Sequence, residues 1–186
     1  MRVCISSVFA LFFALSSSVF AQEGAESSAL NGGADELKGY YMTHVGDSGR
    51  QSIVEFFSRN GKFYAYGFAN VDGSGPKKDS KNQNPKLRDR FDKGSVFVYG
   101  LKKDSKAFSG GEVYNYDDGK TYHLKVTKEP NGNLTLRASI DKLGMMGQTL
   151  IWTPLTQEQI AKYQSEKPDF KVVEDSLAND IAQEFK

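Results

Sequence analysis

Cysteine is nearly missing from this chain of 186 residues: the only one is Cys4. It lies in an N-terminal stretch with the pattern of a secretory signal peptide. Arg2 gives a positive start, an apolar run covers 8–15, and Val19-Phe20-Ala21 places small residues at −3 and −1 of a cleavage site after Ala21. Cys4 precedes the apolar run, so it is not a lipoprotein cysteine, and the mature chain is expected to have neither cysteine nor disulfide. An exported chain without disulfides depends on its core, and the roughly 165 residues that remain can bury an adequate one. Long apolar runs are missing too. The run at 8–15 is too short to cross a bilayer, and nothing later approaches the ~18 residues that a spanning helix needs. Stable membrane insertion is not expected.

Excess charge of either sign is also lacking. The chain has 24 Lys+Arg against 23 Asp+Glu, and loss of Arg2 with the leader makes the two equal. A balance this even gives no sign of nucleic acid or of an anionic membrane surface as a partner. There are two histidines, His44 and His123, with no spacing that resembles a metal site. A Gly-x-Ser-x-Gly elbow is absent. Gly73-Ser74-Gly75 lacks the helix and the Lys-Ser/Thr of a phosphate loop. Asp117-Asp118-Gly119 reads first as a turn and only second as a calcium ligand set. Glu55 and Asp141 are the carboxylates on strands that catalysis could enlist, and the pattern points both outward. No catalytic residue, cofactor or metal is assigned.

What is present is alternation. In residues 110–152, Tyr122, Leu124 and Val126 alternate with Thr121, His123 and Lys125. Leu134, Leu136, Ala138 and Ile140 alternate with Thr135, Arg137, Ser139 and Asp141. Period two over this length marks strands with one apolar and one wet face. Asp118-Gly119 and Pro130-Asn131-Gly132 supply turns. Upstream, Asn60-Gly61 joins 51–58 to 62–69, the strongest short hairpin signal. A two-residue turn there places Val54, Phe56, Phe63, Ala65 and Gly67 on one face. The other face carries Ile53, Glu55, Phe57, Arg59, Lys62, Tyr64, Tyr66 and Phe68, and its charges mark it as the outside. Small Ala65 and Gly67 leave room on the inside. The outer face has more aromatics than water alone accounts for.

Strands are expected near 39–45, 51–58, 62–69, 95–101, 111–116, 120–127, 133–140 and 147–153. The fold class is all-β: an antiparallel up-and-down β-barrel of about eight strands, with C-terminal α-helices. Residues 22–37 read as a flexible leader and 38–154 as the barrel. Residues 71–93 form a long loop whose charges balance, read first as solvated and second as a binding loop. In the extension 155–186, Thr156 and Gln159 form a capping box, with Leu155 and Ile160 at the staple positions. A short helix to about 164 follows, which Pro168 stops from continuing. Val173, Leu177, Ile181 and Phe185 then mark a second helix, whose apolar stripe fits the aromatic outer face.

Several short motifs, in order over about 38–154, resemble a bacterial family of exported proteins, domain-of-unknown-function family 2147, whose fold is lipocalin-like. They include Gly39-Tyr40-Tyr41-Met42-Thr43, Asn60-Gly61-Lys62-Phe63-Tyr64, Gly110-Gly111-Glu112-Val113-Tyr114, Asp118-Gly119-Lys120-Thr121-Tyr122 and Trp152-Thr153. Tyr41 stands where that family usually has Trp, and Pro154 where an Arg usually follows Trp-Thr. In lipocalins that Trp–Arg contact closes the barrel floor. The resemblance implies a small barrel with room for an apolar ligand and no established chemistry.

The two readings of function differ in class. In the first, the exported (periplasmic or secreted) protein is a monomer or weak dimer that binds a small apolar or amphipathic molecule, such as a fatty-acid-like chain, in a dry lumen without inward charge. The expected walls are Tyr41, Val54, Phe56, Phe63, Val98, Val113, Tyr122, Leu124, Leu136 and Trp152. In the second the barrel is solid, and the outer aromatics Tyr64, Tyr66 and Tyr114 with the 71–93 loop meet a protein partner. An enzyme is a distant third.

Overall fold

Eight antiparallel strands close into one barrel, each paired with its neighbours in sequence. They are β1 (Gly39–Met42), β2 (Ser52–Arg59), β3 (Lys62–Asn70), β4 (Val96–Asp104), β5 (Ala107–Asn115), β6 (Lys120–Lys128), β7 (Leu134–Ser139) and β8 (Gly147–Pro154). The computed structural model describes residues 36–184, with side chains to 178. The expected signal peptide, its expected cleavage site and most of the expected leader lie outside the described residues. β1 and β8 close the barrel through Tyr41 opposite Pro154 and Met42 opposite Thr153. The Asn60-Gly61 turn pairs Arg59 with Lys62, as the sequence predicts, with both turn residues at positive φ. β4 and β5 run beyond their expected ends at 101 and from 111, and meet in a tight turn at residues 105–106. Ser105 takes a positive φ of 54° there, a conformation that its neighbours do not announce.

Strand alternation separates two apolar clusters. Inside the barrel, Tyr41, Val54, Phe56, Phe63, Ala65, Val98, Leu101, Phe108, Leu124, Val126, Leu134, Leu136 and Trp152 form one core. One end of the barrel is filled. Phe63 and Phe108 meet edge to face at 5.1 Å, and Tyr41 meets Phe56 in the same way at 5.7 Å. Leu37, 0% exposed, joins this core, so the core takes in a residue of the leader expected over 22–37. Among the described residues this end is packed without a Trp–Arg contact, Tyr41 standing opposite Pro154. The room expected beside Ala65 and Gly67 is used otherwise. Ala65 is buried in the packed core, and the backbone oxygen of Asp92 lies 2.9 Å from where a Cβ at Gly67 would stand. That approach needs glycine.

The second cluster is on the outside. Ile53, Tyr64, Tyr66, Phe68, Ala69 and Val96 pack with Val173 and Leu177 of α2 (Phe170–Glu184). The described part of the helical stripe, Val173 and Leu177, is thus covered by the chain's own barrel. Ile181 and Phe185 carry side chains outside the described residues. Before α2, the capping box forms at α1 (Gln157–Ala161): the Thr156 hydroxyl accepts from the Gln159 N–H, and the Gln159 side chain accepts from the Thr156 N–H. α1 ends before 164 and gives way to a 3-10 turn at Gln164–Glu166. Lys167 fastens the extension. Its ammonium lies 3.0 Å from Glu55 Oε2, donates to Tyr40 OH at 2.7 Å and stands 5.2 Å from the Tyr40 ring centroid. Tyr66 OH donates to the same Glu55 carboxylate. Burial opposes the Lys167 charge, but the hydrogen bonds to Tyr40 and Glu55 outweigh it and raise the pKa. Helical structure is not confined to the extension: a 3-10 turn at Pro85–Leu87 interrupts the long loop.

Candidate ligand-binding site

The end of the barrel opposite the packed one is open. It holds a cavity of about 590 Å³, framed by the 44–50, 71–93, 115–119 and 140–146 connections. Inward residues of β4 to β8 make its apolar wall: Phe97, Val113, Ala138, Leu150 and Trp152. Phe97 and Trp152 lie 6.1 Å apart between ring centroids, and Phe56 meets Trp152 from below at 6.0 Å. Of the ten expected wall residues, the cavity is lined by Val113, Tyr122 and Trp152. Tyr41, Val54, Phe56, Phe63, Val98, Leu124 and Leu136 belong to the packed core beneath it. The expectation of a dry apolar lumen between Phe56, Phe63, Tyr122, Leu124 and Trp152 is therefore corrected. Large aromatics from neighbouring strands meet in the lower barrel and fill it, and the space lies above them.

The absence of inward charge is corrected as well. His44, Asp47, Arg50, Asp92, Lys93, Asp117, Asp118 and Glu166 all border the cavity. Two pairs neutralise the cations: Arg50 with Asp92 at 3.4 Å and Lys93 with Glu166 at 3.4 Å. Arg50 also donates to Ser74 Oγ at 3.2 Å and Gly75 O at 3.1 Å, which ties the 71–93 loop to the rim. Its buried Nε has no hydrogen-bond partner among the described residues. Asp47, Asp117 and Asp118 form no ion pair among the described residues. The rim therefore carries a net negative charge. Asp118 accepts from the Tyr122 hydroxyl, and this hydrogen bond first, burial second, raises the Tyr122 pKa. His44 lies between the acidic rim and the apolar floor. Burial lowers its pKa from 6.5, while Asp47 and Asp117 pull the other way. Its Nδ1 accepts from the Trp152 indole N–H at 3.3 Å. Asp117-Asp118-Gly119 is a turn in the structure, and among the described residues no group of three His, Cys, Asp or Glu could hold a metal ion. Gly119 is required there: its φ is +72°, and a Cβ would fall 2.0 Å from Lys81 O.

The 71–93 loop is anchored rather than merely solvated. Asp79 is buried within it and accepts from Tyr114 OH at 2.7 Å, Asn82 Nδ2 at 2.7 Å and Arg90 Nε at 3.0 Å. This removes Tyr114 from the surface, and α2 and its neighbours remove Tyr64 and Tyr66. The three aromatics expected to meet a partner are buried, because the chain's own loop and helix take the place of that partner. His123 does face outward, 3.9 Å from Glu112. The rim residues His44, Arg50 and Asp117 carried no sequence signal beyond their place in turns. Their convergence depends on four connections meeting at one end of the barrel.

A barrel packed at one end, hollow at the other and crossed on its outside by a C-terminal helix is a lipocalin-like fold. The chain belongs to the family described as "Uncharacterized protein conserved in bacteria (DUF2147)", whose model matches residues 39–154. Among solved structures it is similar to protein HP1028 of Helicobacter pylori, which is described as belonging to the lipocalin family. The two are 45% identical, with a TM-score of 0.71, over 75% of this chain and 97% of that one. No curated protein matches the chain.

Proposed function

We propose that the protein is exported and binds a small amphipathic molecule in the open end of its barrel. The observation that carries this reading is the 590 Å³ cavity with an apolar floor and an acidic rim. The apolar body of the ligand lies against Phe97, Val113, Leu150 and Trp152. Its polar end lies near His44, Asp47 and Asp117. Cavities of this size, with apolar walls and few polar groups, suit a single small ligand. Because Arg50 and Lys93 are already paired, the rim favours an uncharged or cationic end over the carboxylate of a fatty acid. Binding needs no covalent chemistry, and the protein acts as a carrier rather than an enzyme.

Trp152 is the only tryptophan, so its fluorescence reports on the cavity directly. Titration with a primary alkylamine and with the fatty acid of equal length should perturb it, the amine binding about tenfold more tightly, or ~1.4 kcal/mol. Ala138 faces the cavity, and Ala138→Phe should fill it and remove the response while the barrel stays folded. If neither compound changes the emission, the reading fails.

A further inference from the structure

The turn between β7 and β8 holds large apolar side chains out in water. Leu143 is 85% exposed and Met145 75%, with Ile140 and Met146 only slightly more covered. The backbone beneath them is fixed. The Asp141 carboxylate accepts from the N–H groups of Met145 at 3.1 Å and Met146 at 2.6 Å. From β7, Arg137 donates to Gly144 O at 2.8 Å and Met145 O at 3.0 Å. A turn braced from both sides presents these side chains instead of folding them inward. Contiguous exposed apolar groups of this kind mark a contact surface.

The same turn bounds two concavities. Ile140 and Met146 line the mouth of the ligand cavity. Lys142, Leu143 and Gly144 border a groove on the outside of the barrel. That groove also carries Lys62, Lys102, Lys125 and Arg137 against one carboxylate, Glu112. None of its five cations forms an ion pair among the described residues. The even charge balance of the sequence thus conceals a segregation: acid around the cavity mouth, base on this outer face.

We propose that this face docks on an anionic lipid bilayer. Leu143 and Met145 enter the headgroup layer, and the groove's lysines lie against lipid phosphates. An apolar projection flanked by cations is what interfacial binding requires. Lysine ammoniums on flexible stems suit a diffuse sheet of phosphates better than a fixed pocket on a protein. Ile140 and Met146 then bring one edge of the cavity mouth close to the interface, where an amphipathic ligand can pass to or from the bilayer. That exchange rests on the ligand-binding reading above; the docking does not.

The test is flotation of the protein as the cell delivers it, its N-terminus read by intact mass, with vesicles of phosphatidylglycerol and phosphatidylethanolamine or of phosphatidylcholine alone. The wild type should float with the anionic vesicles, less so as salt rises, and not with phosphatidylcholine. Leu143→Asp with Met145→Asp, and separately Lys125→Glu with Lys142→Glu, should each reduce the bound fraction about tenfold, with melting temperatures unchanged because all four side chains are exposed. Ala138→Phe should leave flotation intact, which separates failure of the cavity from failure of the docking. Absence of flotation with anionic vesicles, or equal flotation of the Leu143→Asp, Met145→Asp variant, overturns the proposal. So does capture of a protein partner through this turn in place of lipid.

Discussion

The indole N–H of Trp152 donates to Nδ1 of His44 across 3.3 Å, which joins the floor of the cavity to its rim. The contact requires an unprotonated Nδ1, so a neutral His44 and the seated indole support each other.

Acid should break this contact. Burial lowers the folded-state pKa of His44 from 6.5, so between the two values the unfolded chain binds more protons than the folded one. The stability that the neutral ring contributes is present above pH 6.5 and declines as pH falls toward the lower folded-state value. Trp152 emission should change over the same window, with a midpoint below 6.5. His44→Gln should remove the transition. A midpoint at or above 6.5 would show that His44 is not desolvated in solution.

Leu177 should matter more than its place near the C-terminus suggests. It is 1% exposed, against Ile53, Tyr66 and Val96 of the outer cluster. Leu177→Ala should cost about 2–5 kcal/mol in urea unfolding, from lost transfer energy and the cavity left behind. Val172 is half exposed on the same helix, and Val172→Ala should change stability by less than ~0.5 kcal/mol. Equal effects at the two positions would mean that α2 leaves the barrel in solution.

Asp79 should hold the long loop. Its buried carboxylate serves Tyr114, Asn82 and Arg90 together. Asp79→Ala leaves Arg90 and a tyrosine hydroxyl without that acceptor, at a cost of about 3–5 kcal/mol. Limited proteolysis within 71–93 should accelerate, and cavity binding should weaken because Ser74, Asp92 and Lys93 belong to the rim. A loop as resistant as in the wild type would show that other contacts anchor it.

By itself the sequence determined the strand order, the Asn60-Gly61 register, the capping box and the division of β2 and β3 into an inner and an outer face. These follow from period-two alternation and from turn residues a few positions apart, so local order is enough to read them. It also pointed Val173 and Leu177 at the aromatic outer face, because a stripe and a surface of matching character have few other places to go. Only the tertiary structure decided which inward residues are packed and which line space. Phe56, Phe63 and Leu124 have the same alternation as Val113 and Tyr122, and height along the barrel separates them. Height depends on strand stagger, on bulges such as that between Phe108 and Gly111, and on Asp92 entering beside Gly67. The charged rim and the basic outer face were hidden for the same reason: Arg50 meets Asp92 across 42 residues of chain, and a net charge near zero says nothing about where each sign lies.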